Sequence, residues 1–170
     1  VGLDVSHYTS IKFLRKLRED EEYFDRHEAD MPDARHLCPV DFPRQAEGID
    51  GIYVVEGAVS FRVGSYSYYN HWRNQLAQMI GEGTAADVWE KSDAGKDGPF
   101  YDLIHFSDCE GVIGPQTCDR LAQSFDVWRD RAQEYGEKIE GRGGRDFLAT
   151  YEEFRTAFKA AARHGCVEFG

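Results

Sequence analysis

Apolar and polar residues recur along this chain with two different periods, and each period predicts a different kind of element. Leu3-Asp4-Val5-Ser6 alternates singly, as a half-buried strand does. Ile11, Leu14 and Leu17 repeat at helical spacing, while Lys12, Phe13, Leu14 and Arg15 read equally well as a strand, so both assignments stand for this segment. From Glu19 to Pro43 the chain is first densely charged and then broken by Pro32, Pro39 and Pro43. This predicts a long irregular excursion, pinned to the core by Phe24, Leu37, Val40 and Phe42. Ile52-Tyr53-Val54-Val55 and Val59-Ser60-Phe61-Arg62-Val63 are rich in strand formers, and Glu56-Gly57-Ala58 between them predicts a hairpin turn. In the second of these runs Val59, Phe61 and Val63 share one face, and Ser60 and Arg62 share the other.

Helical periodicity takes over after Gly64. Ser65 or Ser67 can cap a helix starting near Tyr68, whose buried stripe would be Tyr69, Trp72, Leu76, Met79 and Ile80. Gly81-Glu82-Gly83 stops it. Residues 84–91 predict a short helix, followed by a polar, glycine-containing loop to Pro99. The apolar run from Phe100 to Phe106 fits a helical turn or a buried strand. Pro115 suits the first position of a helix. Beyond it Cys118, Leu121, Phe125, Trp128, Ala132 and Tyr135 recur at three and four residues. After the break at Gly141-Arg142-Gly143-Gly144, Phe147, Tyr151, Phe154, Phe158 and Ala161 do the same, which predicts an antiparallel helix pair. Gly165 reads as the C-cap, and Cys166-Val167-Glu168-Phe169 as an edge strand. The predicted class is α+β: a small antiparallel sheet packed against several helices, with a C-terminal antiparallel helix pair. No internal repeat or linker divides residues 1–170, so one domain is expected.

Composition narrows the function classes. Forty-one per cent apolar and 14% aromatic residues exclude a disordered chain of this size. No apolar run is long enough to cross a bilayer, and the first residues lack a signal-peptide pattern, which predicts a soluble chain without a membrane partner. A formal charge of −11 argues against direct nucleic-acid binding and permits a basic partner surface. Cys38, Cys109, Cys118 and Cys166 are scattered without a CxxC pair, so reduced structural thiols are expected and a zinc site is not.

Two segments carry candidate chemistry. In Gly64-Ser65-Tyr66-Ser67-Tyr68-Tyr69-Asn70-His71-Trp72-Arg73 a strand passes through a turn into a helix, whose free N–H groups favour anions. Ser65, Ser67 and Asn70 add polar contacts, Arg62 and Arg73 positive charge, and Tyr66 and Tyr68 flat surfaces for a base. Together they would suit a small phosphate-bearing ligand. Helix capping by the serines and burial of Tyr69 and Trp72 explain the same residues without a ligand. No GxxxxGK[ST] phosphate loop or GxSxG nucleophile turn is present, and nothing calls for a cofactor. In the second segment His105, Asp108 and Glu110 invite a metal or acid–base reading. A calcium loop fails there, because Phe106 and Thr117 would occupy its first and twelfth positions. The plain alternative is a turn at Gly111 and Gly114 leading into the helix at Pro115.

These motifs carry a resemblance. The opening Gly2-Leu3-Asp4, the GSYSYYNHWR segment, the block Pro99–Ile104 with FSDCEGVIGP, and the ending His164–Phe169 resemble a family of small phage and prophage proteins with no assigned activity. The chain departs from that pattern at Tyr68 and Cys109. The resemblance implies a phage setting and a host cytoplasm. Three functions follow as expectations. The first is a non-enzymatic inhibitor of host defence that binds a nucleotide-like signal through Arg62, Ser65, Tyr66, Ser67, Asn70 and Arg73. The second is an acidic inhibitor covering a basic nucleic-acid site on a host protein, with charge densest in Glu19–Glu28 and Asp126–Glu140. The third is a metal-dependent hydrolase using His105, Asp108 and Glu110. Aromatic helix faces leave room for a homo-oligomeric contact.

Overall fold

The computed structural model describes residues 1–92 and 97–170. Its strands are Leu3–Tyr8 (β1), Ser10–Arg15 (β2), Ala34–Leu37 (β3), Gly51–Glu56 (β4), Val59–Gly64 (β5), Gly111–Ile113 (β6) and Cys166–Phe169 (β7). They form two antiparallel sheets, ordered β5-β1-β7-β6 and β2-β4-β3. The helices are Pro43–Ala46 (α1), Tyr66–Met79 (α2), Ala85–Ser92 (α3), Tyr101–Ile104 (α4), Pro115–Val127 (α5), Arg129–Glu137 (α6) and Gly143–Ala161 (α7). The class is α+β, as the periodicity predicts, with two small sheets in place of one. The polar loop expected before Pro99 falls partly on residues 93–96, outside the described residues.

The predicted hairpin at Glu56-Gly57-Ala58 is not one. β4 pairs with β2 (Ile11 opposite Val55, Phe13 opposite Tyr53), and β5 pairs with β1 (Val5 opposite Phe61, His7 opposite Val59). The two runs are therefore one arm of a long antiparallel ribbon, and β1 and β2 are the other. The ribbon bends where Thr9 faces Gly57: the Thr9 N–H donates to the Glu56 carbonyl at 2.9 Å, and its hydroxyl donates to the same oxygen at 3.2 Å. Gly57 has φ 64°, and a Cβ there would lie 2.3 Å from Thr9 Oγ1. A glycine that reads as a turn thus serves as a bend carrying the ribbon from one sheet to the next. The ambiguous segment 11–17 resolves as strand over Ser10–Arg15, with a register shift that sets Leu14 apart at 38% exposure.

One face of the four-stranded sheet is covered by α2 and α7 through an aromatic core. Phe61 meets Phe154 at 5.4 Å between ring centres, Trp72 stacks on Phe154 at 4.9 Å, and Phe106 meets Phe169 edge-on at 5.0 Å. A second buried cluster, including Tyr8, Leu37, Tyr53, Val55, Val112 and Cys166, draws on strands of both sheets. β7 is not an edge strand: it lies between β1 and β6, and its neighbour β6 holds the edge. The sequence hides this because β6 is only Gly111–Ile113, too short to show a period.

The C-terminal helices pack antiparallel, as their order of contact shows: Tyr135 on Phe147, Phe125 on both Tyr151 and Phe158, and Asp119 paired with Arg163. The long repeat from Cys118 to Tyr135 is divided at Trp128 into α5 and α6. At the end of α7 the left-handed residue is Arg163 (φ 75°), not Gly165. Gly165 meets a different demand, since a Cβ there would sit 1.7 Å from the Tyr8 carbonyl oxygen.

Candidate functional site

The turn after β5 is built by its own sequence. Ser65 has extended backbone, and its hydroxyl accepts the Tyr68 N–H at 3.1 Å, so α2 starts at Tyr66, two residues before the expected place. Tyr68 shares a 2.8 Å hydrogen bond with the Thr150 hydroxyl and donates to the Asp146 carbonyl at 3.0 Å, tying the turn to α7. Tyr66 packs half-buried on the aromatic core, and Ser67 faces solvent.

Further along α2 the two sequence motifs meet. The Asn70 amide donates to Asp108 at 2.8 Å, and its carbonyl oxygen accepts from Arg73 Nη2. Arg73 Nη1 donates to the carbonyls of Ile104 and Phe106 at 3.1 and 2.5 Å. Its guanidinium lies 5.0 Å from the Tyr69 ring centre and 5.5 Å from that of Trp89. Trp89 Nε1 adds a 2.7 Å bond to the Ile104 carbonyl. Arg73 is only 4% exposed. Its charge is therefore held by carbonyl dipoles, two aromatic faces and, through Asn70, by Asp108. This clamp fastens the segment after α4 to α2.

The six candidate ligand residues accordingly divide into separate places. Arg62 stands on the outer sheet face and pairs with Asp4 at 2.9 Å. The shallow cleft it borders also contains Asp146 and Glu153, which oppose an anion. Ser65 is a cap, and Asn70 and Arg73 are inside the clamp. None of the five principal clefts among the described residues is lined by Ser65, Asn70, Arg73 or Asp108. Of the other trio, Asp108 faces Asn70, His105 stands edge-on to Phe42 at 6.2 Å between ring centres, and Glu110 is exposed beyond a turn closed by Ser107. Among the described residues no three His, Cys, Asp or Glu side chains gather in a group that could hold a metal.

Several features escape sequence reasoning. The carboxylate of Glu47, far away in the chain, accepts the N–H groups of Gln116 and Thr117 at 3.1 and 2.8 Å, closing the N-terminus of α5. Glu168 accepts the Tyr8 hydroxyl at 2.7 Å, and burial raises its pKa above the usual carboxylate range. A cleft of about 350 Å³ opens between the 97–102 segment and α5, lined by Pro99, Tyr101, Leu121, Val127 and Trp128, with the Asp102–Arg120 pair on its wall. The only advance sign of it is Val127, an apolar residue off the buried stripe of its helix and 79% exposed.

No known family matches the chain, and neither does any curated protein or solved structure. No helix among the described residues is long and apolar enough to cross a membrane.

Proposed function

We propose that the protein is a non-enzymatic binding protein that lays an acidic face over the basic, nucleic-acid-binding surface of a partner protein. One observation carries this reading. On α6, Asp130, Glu134 and Glu137 recur at four and three residues, all are exposed, and none joins an ion pair among the described residues. Several other acids on these helices are neutralised, Asp126 by Arg155 and Lys159, Asp119 by Arg163, and Glu152 by Arg129 and Arg155, while Asp146 and Glu153 of α7 join no ion pair among the described residues. The row, in which only Glu137 takes a side-chain hydrogen bond (from Gln133, 2.8 Å), begins three residues beyond Val127, at the mouth of the apolar cleft. Acidic charge beside an apolar recess suits Lys and Arg side chains, whose heads seek carboxylates while their stems seek apolar cover. The net charge of −11 steers basic surfaces inward and repels nucleic acid itself. The resemblance to phage proteins supports a bacterial host protein as the partner, inhibition of host defence as the outcome, and the host cytoplasm as the place.

The test is capture from nuclease-treated bacterial lysate at about 50 mM salt, using the wild type and the triple variant Asp130→Lys, Glu134→Lys, Glu137→Lys. The wild type should retain a nucleic-acid-binding protein, release it at about 500 mM salt, and compete with its nucleic acid. The variant should retain none. Equal retention by the variant, or no retention by the wild type at low salt, would refute the proposal.

A further inference from the structure

The charged excursion contains a feature opposite in sign to the rest of the molecule. Between residues 23–27 and β3 lies an open groove of about 460 Å³, within the range of small-ligand sites. Arg26, Arg35, His27 and His36 line it together with the rings of Tyr23 and Phe24; Asp25 is the one acid on its wall.

Two acids of this stretch, Glu21 and Asp25, are held in local hydrogen bonds. Glu21 takes both guanidinium nitrogens of Arg15 at 2.7 and 2.9 Å and the Arg18 N–H at 3.1 Å, which pulls its pKa down to about 2. Asp25 Oδ1 accepts the N–H groups of His27 and Glu28 at 2.8 and 3.3 Å, and so closes the turn that presents Arg26. Arg15 also lies 5.7 Å from the Phe24 ring centre and steadies that wall. Arg35 is anchored through Nη1 to the carbonyls of Pro32 and Ala34 at 3.3 and 3.1 Å, while its Nη2 makes no hydrogen bond among the described residues. The guanidinium of Arg26 makes no hydrogen bond or ion pair among them. Glu168, engaged with Tyr8, also interacts electrostatically with Arg35 and His36. The groove thus presents two guanidinium groups, two imidazoles and two aromatic rings against the single carboxylate of Asp25.

We propose that this groove binds a phosphate-bearing aromatic ligand of mononucleotide size, with the phosphate on Arg26 and Arg35 and the base against Tyr23 and Phe24. Guanidinium forks match phosphate oxygens in pairs, and stacking on a ring tolerates any base. An acidic surround keeps loosely held polyanions away, so a single compact phosphate is favoured over a nucleic-acid backbone. The site stands apart from α6 and does not depend on the function proposed for that face.

The test is calorimetry of the full chain at low salt with AMP, GMP, CMP and UMP, alongside adenosine, ribose 5-phosphate and inorganic phosphate. At least one nucleoside monophosphate should bind saturably. Removing either its phosphate or its base should weaken binding by on the order of tenfold. Arg26→Ala should weaken it comparably at an unchanged melting temperature, and Arg62→Ala should leave it unaltered. The imidazole protons of His27 and His36 should shift in NMR spectra as AMP is added. No saturable binding by folded protein up to about 10 mM would overturn the proposal. So would equal affinity in Arg26→Ala, or ligand-induced shifts centred on residues 62–73.

Discussion

Replacing Arg73 by methionine keeps the length of its aliphatic stem and removes every hydrogen bond that the guanidinium makes. The Ile104 carbonyl retains Trp89 Nε1 as a donor, but the Phe106 carbonyl and the Asn70 side-chain oxygen each lose theirs. The buried Phe106 carbonyl left without a donor costs about 1–3 kcal/mol, the part-buried Asn70 oxygen about 1 kcal/mol, and contact with the Tyr69 and Trp89 rings adds about 1 kcal/mol. Relief of the arginine's own desolvation opposes this, so the net loss should be about 3 kcal/mol. For a chain of this length that lowers the melting temperature by about 10 °C. Urea unfolding at constant m-value measures it directly. Because Asn70 joins Arg73 to Asp108, Arg73→Met and Asp108→Ala should be non-additive by about 1 kcal/mol in a double-mutant cycle. A loss below about 1 kcal/mol in Arg73→Met, with additive effects at Asp108, would refute the clamp and return Arg73 to the candidates for ligand binding.

Two further predictions concern the sheets. Glu168 has a raised folded pKa, so the native state holds its proton to higher pH than the unfolded chain does, and its contribution to stability falls as pH rises through that folded pKa. Glu168→Gln, which can still accept the Tyr8 hydroxyl, should therefore melt higher than wild type near neutral pH and converge with it below about pH 4. A constant difference across that range would refute the reasoning. Gly165→Ala places a methyl 1.7 Å from the Tyr8 carbonyl oxygen, a backbone atom that cannot step aside, and should cost more than about 3 kcal/mol or prevent folding. A melting temperature within about 2 °C of wild type would show that the close passage is not rigid.

Local signals were readable in the sequence wherever one element meets its own neighbours. The Tyr69–Trp72–Leu76–Met79 stripe, the cap at Ser65, Pro115 at the start of α5 and the aromatic face of α7 all follow from spacing within a dozen residues. What spacing does not encode is partnership at a distance. β4 and β5 carry the composition of a hairpin, yet each pairs with another strand, and no local property of Gly57 separates a bend from a turn. Arg73 sits on a helix like any exposed cation, and only the carbonyls of Ile104 and Phe106 show why it is buried. Grouping Arg62 with Arg73 relied on nearness in sequence, whereas a strand and a helix turn them to different sides of the fold. The groove at Arg26 and Arg35 was obscured for the same reason: its walls are separated by a proline-broken stretch with no period to follow.

The bent ribbon has a consequence for how this protein can change. β1–β2 and β4–β5 amount to one very long hairpin whose tip has been replaced by residues 16–50. Within that replacement residues 16–33 belong to neither buried cluster, and the chain returns to the sheet only at Ala34. Substitutions there spare the aromatic interior, and the ties of the segment to the strands are few: the Asp33 carbonyl accepts the Val55 N–H at 2.8 Å, and Glu21 holds Arg15. The segment bearing Tyr23, Phe24 and Arg26 is thus open to evolutionary retuning while the aromatic scaffold stays fixed.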